Sequence, residues 1–177
     1  FDLDEDLDLV TQNIDALWGS YSGIRYYINI NGKYYILSDT LTTNNGLALK
    51  SNSQSTPTFS DIDGDGDQDF FSGNLDGTLS FFENIGIENN IPVFEEISNF
   101  WQNISIIGST SQQLDYRHGA SAITFIDLDG NSVFDLSWGD FYQQSLYIIW
   151  NEGTSQSPEM DIENIEAQYP PISPVMT

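Results

Sequence analysis

The stretch FSDIDGDGDQDFFSG, residues 59–73, concentrates negative charge that a protein chain normally spreads out. It places an aspartate at every second position from Asp61 to Asp69, and then continues with Phe70 and Phe71. Carboxylates this close repel each other by ~1 kcal/mol per pair even in water. The stretch is therefore either a cation site or an acidic turn without metal, and its neighbouring sequence favours the first.

The spacing of the aspartates matches the needs of a calcium ion. Carboxylates at positions 1, 3, 5 and 9 of a tight loop can turn inward, and position 7 can add a backbone carbonyl. Calcium prefers ~6–8 such oxygens, whereas magnesium keeps more of its waters. Zinc and copper are disfavoured because the chain has no cysteine and one histidine. The residues after the loop alternate like a strand, unlike the helix that follows an EF-hand loop. The predicted calcium ligands are Asp61, Asp63, Asp65 and Asp69, with the carbonyl of Asp67.

A second stretch, FIDLDGNSVFDLSWG, residues 125–139, repeats the first at a distance of 66 residues, so that Phe59 matches Phe125 and Gly73 matches Gly139. One aspartate of the loop is replaced by asparagine, which predicts weaker binding because one charge is lost. The predicted ligands of this loop are Asp127, Asp129, Asn131 and Asp135, with the carbonyl of Val133. Recurrence at fixed spacing makes the acidic turn without metal the weaker explanation.

The chain opens on a partial third copy, FDLDEDLDLV, residues 1–10, and closes on SPVMT, which resembles the TPTFS of residues 56–60. The first ligand of the opening loop would precede Phe1, so we expect an incomplete site. Its remaining candidates are Asp2, Asp4 and Asp8, with the carbonyl of Asp6. The predicted repeats are residues 1–54, 55–120 and 121–172, with 173–177 starting another. We expect a segment of a longer repeat protein; the alternative is a chain whose natural ends fall at these points.

The composition limits the classes of partner. The chain carries 27 acidic and four basic residues, for a net charge of −23. Nucleic acids and anionic membranes require clustered Lys and Arg, so we expect neither, and no run is long and apolar enough for membrane insertion. An aromatic content of 14% argues against disorder. Short runs such as RYYINI and SLYIIW, bounded by Gly, Asn and Asp, predict an all-β fold. Residues 39–55 are predicted to be a long surface loop.

These motifs resemble the FG-GAP or VCBS repeat family. The likeness lies in F-x-D-x-D-G-[DN]-x-x-x-D, followed by a strand that ends in N-x-G. The resemblance implies about three four-stranded blades of a β-propeller, with each calcium loop joining the first two strands of its blade. It places the aromatic residues after the loop between blades. It also implies an extracellular or cell-surface protein, whose other blades come from the same chain or a partner subunit.

Three functions follow from this interpretation. The first is a non-catalytic, calcium-binding module for adhesion or surface assembly, with a protein partner. The second is a lectin-like propeller, or an accessory domain of a polysaccharide-active enzyme, that binds an extracellular glycan through exposed aromatics; the candidates are Trp18, Trp101, Trp138, Tyr142, Trp150 and Tyr169. The third, catalysis by His118 beside Asp115, Arg117 and Ser121, is disfavoured because triads are assembled from separated segments. We therefore expect no enzyme activity.

Overall fold

A computed structural model describes residues 6–13, 21–52, 55–74, 76–106, 121–140 and 145–166. These residues form three antiparallel β-sheets and two 3₁₀ turns, Trp101–Asn103 and Ile162–Asn164, with no α-helix in the described ranges. The predicted all-β class is confirmed. Among the described residues no helix is long and apolar enough to cross a membrane.

The first sheet contains the strands β1 (Leu9–Asn13), β2 (Tyr21–Ile30), β3 (Lys33–Ser38) and β4 (Lys50–Asn52). β1 lies along one edge of β2, while β3 and then β4 lie along the other. Only three strands therefore stand side by side. The two-residue turn between β2 and β3 has positive φ at Asn31 and Gly32, the backbone that suits a tight hairpin of twisted strands.

The second sheet is a four-stranded meander in the order β5-β6-β7-β8. Its strands are β5 (Thr58–Ser60), β6 (Asp69–Gly73), β7 (Leu79–Glu88) and β8 (Ile91–Ser98). These are the strands expected from the sequence for one four-stranded repeat. The β7–β8 turn uses two residues with positive φ, Asn89 and Asn90, a residue type that tolerates this region.

The third sheet has three strands, β9 (Ser121–Ile126), β10 (Asp135–Asp140) and β11 (Ser145–Ile149). Past β11, residues 150–166 make only isolated bridges, among them Asn151 with Met160 and Glu166 with Ile148 of β11. The first and second sheets therefore contain the expected four strands, with β4 beside β3 on one edge of the first, whereas the described part of the third sheet contains three. The described residues form no closed sheet.

Two hydrophobic clusters lie between successive sheets. The first joins Ile24 and Tyr26 of the first sheet to Phe70 and Phe94 of the second. The second joins Phe71 of the second sheet to residues of the third, and the ring centroids of Phe71 and Phe125 are 4.4 Å apart. The predicted packing of the aromatic residues between sheets is confirmed. The second sheet is therefore held on both faces by apolar contacts, which fixes the base of its aspartate loop.

The prediction of a surface loop over residues 39–55 is wrong. Leu41 and Leu49 are fully buried in the first cluster, and the backbone N–H of Leu49 donates to the carbonyl of Leu41. Residues 42–48 form a small hairpin between these two leucines, and β4 then resumes pairing with β2. Burying the leucines offsets the cost of ordering this segment.

Candidate metal centre

Each complete aspartate loop joins the first two strands of its sheet. The middle loop connects β5 to β6, where Ser60 pairs with Asp69. The last loop connects β9 to β10, where Ile126 pairs with Asp135. The last aspartate of each loop is thus the first residue of a buried strand, and its position is fixed by the sheet.

Three hydrogen bonds recur at corresponding positions in the two loops. In the middle loop the backbone N–H groups of Asp65, Gly66 and Asp67 donate to Asp63 Oδ1, Asp61 Oδ2 and Asp65 Oδ1, at 3.2, 3.1 and 3.0 Å. In the last loop the N–H groups of Asn131, Ser132 and Val133 donate to the matching side chains of Asp129, Asp127 and Asn131, at 3.0, 3.0 and 2.7 Å. Side chains at positions 1, 3 and 5 therefore turn into both loops.

These turns bring carboxylates together. In the middle loop one oxygen from each of Asp61, Asp63 and Asp65 lies within 4.8 Å of the others. In the last loop the corresponding group is Asp127, Asp129 and Asp135. The two groups differ because position 5 of the last loop is an asparagine and because Asp69 does not belong to the middle group. Each group presents hard oxygen ligands of the kind that calcium prefers.

Asp69 is the most buried aspartate of the middle loop, with 1% of its surface exposed. Its Oδ1 accepts a hydrogen bond from the backbone N–H of Asn84 at 2.9 Å, whereas its Oδ2 is buried without a hydrogen-bond partner. Burial, together with the charges of Asp63 and Asp67, raises the pKa of Asp69 to about 7, although the N–H groups of Asn84 and Ile62 act in the opposite direction.

Two further oxygens of the middle loop are buried and unpaired. These are Asp61 Oδ1 and Asp67 Oδ1. Burial first, and then the charges of Asp65, Asp63, Asp61 and Glu83, raise the pKa of Asp67 to about 6. Desolvated carboxylate oxygens without a donor are costly. A bound cation would supply the missing partner.

The last loop has its buried aspartate fully paired. Asp135 Oδ1 accepts from the N–H of Asn151 at 2.9 Å, and Oδ2 accepts from the N–H of Leu128 at 3.0 Å. Asn131 Oδ1 accepts from Val133 N–H at 2.7 Å. This loop has fewer charges than the middle loop, and none of its carboxylate oxygens is buried without a partner. The predicted order of affinity stays a prediction.

In the opening loop the structure includes Asp6 and Asp8, while Asp2 and Asp4 lie outside the described residues. Asp8 Oδ1 accepts from the N–H of Asn29 at 2.9 Å, and Oδ2 accepts from the hydroxyl of Tyr26 at 2.6 Å. Burial alone would raise the pKa of Asp8, but these two hydrogen bonds hold it below its ordinary value. With both oxygens engaged, Asp8 is a poorer ligand than Asp69.

One asparagine recurs near the end of the third strand of each repeat, and no role was predicted for it from the sequence. The N–H groups of Asn29, Asn84 and Asn151 each donate to the last aspartate of a loop, at 2.9 Å in all three cases. The side chain of each asparagine also accepts from a following glycine, Gly32, Gly86 or Gly153. The N-x-G signal was visible in the sequence, and its structural use is to orient the aspartate.

A contribution of Glu83 to the middle loop was not predicted from the sequence. It lies on β7 opposite Glu95, and burial followed by the charges of Asp63, Glu95 and Asp65 raises its pKa. A carboxylate on a neighbouring strand therefore adds to the negative potential of the middle loop. Sequence could not predict this contribution because it depends on the pairing of β6, β7 and β8.

The structure describes only some of the residues proposed for glycan binding or catalysis. Trp101 and Trp138 are buried in the second cluster and are not accessible to a sugar. Trp150 is half-buried. The remaining aromatic candidates, Trp18, Tyr142 and Tyr169, and the histidine segment with Asp115, Arg117 and His118 lie outside the described residues, and of Ser121 only the backbone is described.

Comparison of the chain with known protein-family models, with curated proteins and with solved structures finds no match. The assignment of function therefore depends on the loops and sheets themselves.

Proposed function

We propose that the protein is a non-catalytic module that binds calcium in its aspartate loops. The observation that carries this proposal is the set of three buried and unpaired carboxylate oxygens in the middle loop, on Asp61, Asp67 and Asp69. An acidic turn without metal would be expected to expose such oxygens to water or to pair them with donors. A divalent cation satisfies several of them at once and removes the repulsion between them.

Calcium fits this donor set better than other cations. All the candidate ligands are oxygens, which disfavours zinc and copper. The loop offers many carboxylates in irregular positions, which suits calcium, whereas magnesium requires near-octahedral geometry and retains its waters. Asp65 and its neighbouring glycines are exposed, so water can complete the shell. We also propose an extracellular or cell-surface location, where calcium-binding modules commonly have dissociation constants of ~10⁻⁴–10⁻³ M.

We further propose that the three sheets are successive blades of a β-propeller of the FG-GAP or VCBS type. The recurring hydrogen bonds from Asn29, Asn84 and Asn151 to the loop aspartates support equivalence of the sheets. The clusters between sheets support face-to-face stacking. Calcium would then stabilise the hairpin of each blade, and its binding energy would contribute to folding. Adhesion or surface assembly with a protein partner is the use that such a rigid, highly acidic module fits best.

Glycan binding remains the alternative use. It is less well supported than a protein partner, because two of its tryptophan candidates, Trp101 and Trp138, are core residues. Binding of glycans by the protein, and its loss on substitution of the half-buried Trp150, would favour this alternative.

Calcium binding and its stoichiometry can be measured by isothermal titration calorimetry on the chain after treatment with chelator. We expect two sites, the tighter in the middle loop. Asp61→Asn should weaken the tighter site, and Asp127→Asn should weaken only the other. Glu88→Gln, which removes one exposed charge outside the loops, is the matched control. Heats that are unchanged by both loop substitutions would refute the assignment.

A further inference from the structure

Glu83 on β7 stands across the strand ladder from the last aspartate of the middle loop. Phe70 pairs with Phe82, so the next step of the same antiparallel register sets Asp69 opposite Glu83. Side chains in such a pair lie on one face of the sheet, with their Cβ atoms ~4.5–5.5 Å apart. The Oδ2 atom of Asp69, which is buried without a hydrogen-bond partner, is therefore on the same face as the carboxylate of Glu83.

This glutamate is surrounded by negative charge and has no basic residue in its part of the sequence. Glu95 on β8 pairs with it. Burial first, and then the charges of Asp63, Glu95 and Asp65, raise the pKa of Glu83. Residues 55–106 and 121–166, which contain the second and third sheets, include no Lys or Arg. A half-buried carboxylate among like charges is costly unless a cation offsets them, and here the cation has to come from outside these two sheets.

The other two loops have an apolar side chain at the corresponding position. In each sheet the N–H of an asparagine donates to the last aspartate of the loop. The residue before that asparagine is Ile28 in the first sheet, Glu83 in the second and Trp150 in the third, and the strand registers agree with this correspondence. The fold therefore does not require a carboxylate at this position, and of the three loops the middle one alone has it.

Glu83 is not one of the oxygen ligands that converge within the loop. One oxygen from each of Asp61, Asp63 and Asp65 lies within 4.8 Å of the other two, and Glu83 does not belong to that group. A cation among the three aspartates would therefore meet Glu83 through water or through space. Attraction between charges falls only as the inverse of their distance, so the carboxylate still acts on a divalent ion at this range.

We propose that Glu83 is an affinity-determining residue of the middle metal site, which attracts the cation from outside the loop without binding it directly. The inference rests on the proposed binding of calcium and adds to that site a residue from β7. It also supplies a reason, beyond the charges of the loop itself, for the middle site to be the tighter of the two.

The substitution Glu83→Gln removes the charge and keeps the size of the side chain. We expect it to raise the calcium dissociation constant of the middle site about threefold and to leave the last site unchanged. Isothermal titration calorimetry measures both sites. The matched control is Glu96→Gln, which changes a residue of β8 that pairs with Phe82 on the opposite face of the sheet, and it should alter neither site.

Terbium distinguishes an effect of charge from a change in the shape of the loop. The energy of attraction is proportional to the charge of the ion, so a threefold effect on calcium corresponds to about fivefold on this trivalent ion. Both effects should shrink as salt is added, because mobile ions screen partly exposed charges. Luminescence titration measures terbium binding at the tighter site. Equal losses of affinity for the two ions at every salt concentration would overturn the inference.

The third sheet allows the converse test. Trp150→Glu places a carboxylate at the counterpart of Glu83, beside the last loop, and Trp150→Gln is its uncharged control. The calcium dissociation constant of the last site should be about threefold lower in Trp150→Glu than in Trp150→Gln, while the middle site is the same in both. Equal affinity of the last site in the two variants would contradict the role assigned to this position.

Stability without calcium separates this role from a structural one. Because Glu83→Gln removes repulsion between like charges, the variant should be at least as stable as the wild type in urea with chelator. Lower stability would indicate a lost structural contact and would overturn the inference. Calcium binding that is indifferent to Glu83→Gln refutes the inference alone and leaves the proposed function in place, whereas a wild-type chain that binds no calcium refutes both.

Discussion

The substitution Asp69→Asn removes a charge from the middle loop while keeping the shape of the side chain. Asp69 is 1% exposed, and its Oδ1 accepts a hydrogen bond from Asn84 N–H that an amide oxygen can also accept. Its Oδ2 is buried without a partner. We therefore expect opposite effects in the two states: Asp69→Asn should stabilise the calcium-free protein and reduce its response to calcium.

The magnitude follows from the titration of this side chain. Burial and the neighbouring aspartates raise the pKa of Asp69 from 3.8 to about 7 in the folded protein. A group whose pKa is raised on folding contributes stability that is complete below the unfolded pKa and is lost as the pH rises through the folded pKa. Without calcium, the substitution should therefore increase the free energy of unfolding by ~1–2 kcal/mol at about pH 8 and by much less at about pH 5.

Asp135 provides the internal contrast. Its two oxygens accept hydrogen bonds from Asn151 and Leu128, and an amide NH₂ group cannot accept the second of these. Asp135→Asn should therefore destabilise the calcium-free protein by ~1–2 kcal/mol. The same chemical change should thus have opposite signs in the two loops.

The assay is urea unfolding of wild type and variants, in chelator and in excess calcium, at both pH values. Glu88→Gln controls for the loss of one exposed charge. The reasoning fails if Asp69→Asn is less stable than wild type in chelator at about pH 8, or if its effect is the same at both pH values.

Two other predictions concern the packing that holds the loops. Phe71→Ala removes a fully buried ring whose centroid lies 4.4 Å from that of Phe125, so it should lower the free energy of unfolding by ~3–5 kcal/mol. The control Phe100→Ala, at a 42% exposed position, should lower it by less than about 1 kcal/mol. Both values can be measured by urea unfolding, and equal effects would argue against a shared core. In Gly77→Ala the added methyl group would overlap the backbone carbonyl of Ile106, at a position with positive φ, so the variant should lose more than about 2 kcal/mol of unfolding free energy. Gly46→Ala, with similar φ and open space around it, should lose only about 1 kcal/mol. Similar melting temperatures for the two variants would contradict the steric explanation.

The elements predicted best from the sequence are those with local signals. Short runs rich in Phe and Ile indicated β6, β7 and β8. The 66-residue recurrence indicated where Asp69 and Asp135 begin their strands. The two-residue turns at Asn31–Gly32 and Asn89–Asn90 also have a local cause, which is their tolerance of positive φ.

The elements that sequence missed depend on distant contacts. Leu41 and Leu49 are single apolar residues in a polar stretch, so no periodicity marks them, and their burial requires the second sheet. The regular fourth strand expected in the third sheet is replaced by isolated bridges around Met160. Pro158, two residues before Met160, has no N–H to donate to a ladder, and the residues after it are mostly acidic or polar.

The candidate site likewise combines features that are visible in the sequence with features that depend on distant contacts. The five aspartates and their spacing were evident from the sequence, whereas the unpaired state of Asp69 Oδ2 and the contribution of Glu83 depend on the folded arrangement. Burial and pairing of individual oxygens are properties of the packed sheet.

The central claim, that the aspartate loops bind calcium, is tested most directly by thermal unfolding of the chain in calcium, in magnesium at the same concentration, and in chelator. A ligand that binds only the folded state stabilises it by ~2.7 kcal/mol when present at a hundred times its dissociation constant. We predict a melting temperature that is clearly higher in calcium than in magnesium or chelator, with most of the difference lost in Asp61→Asn. The same melting temperature in all three conditions would contradict the account.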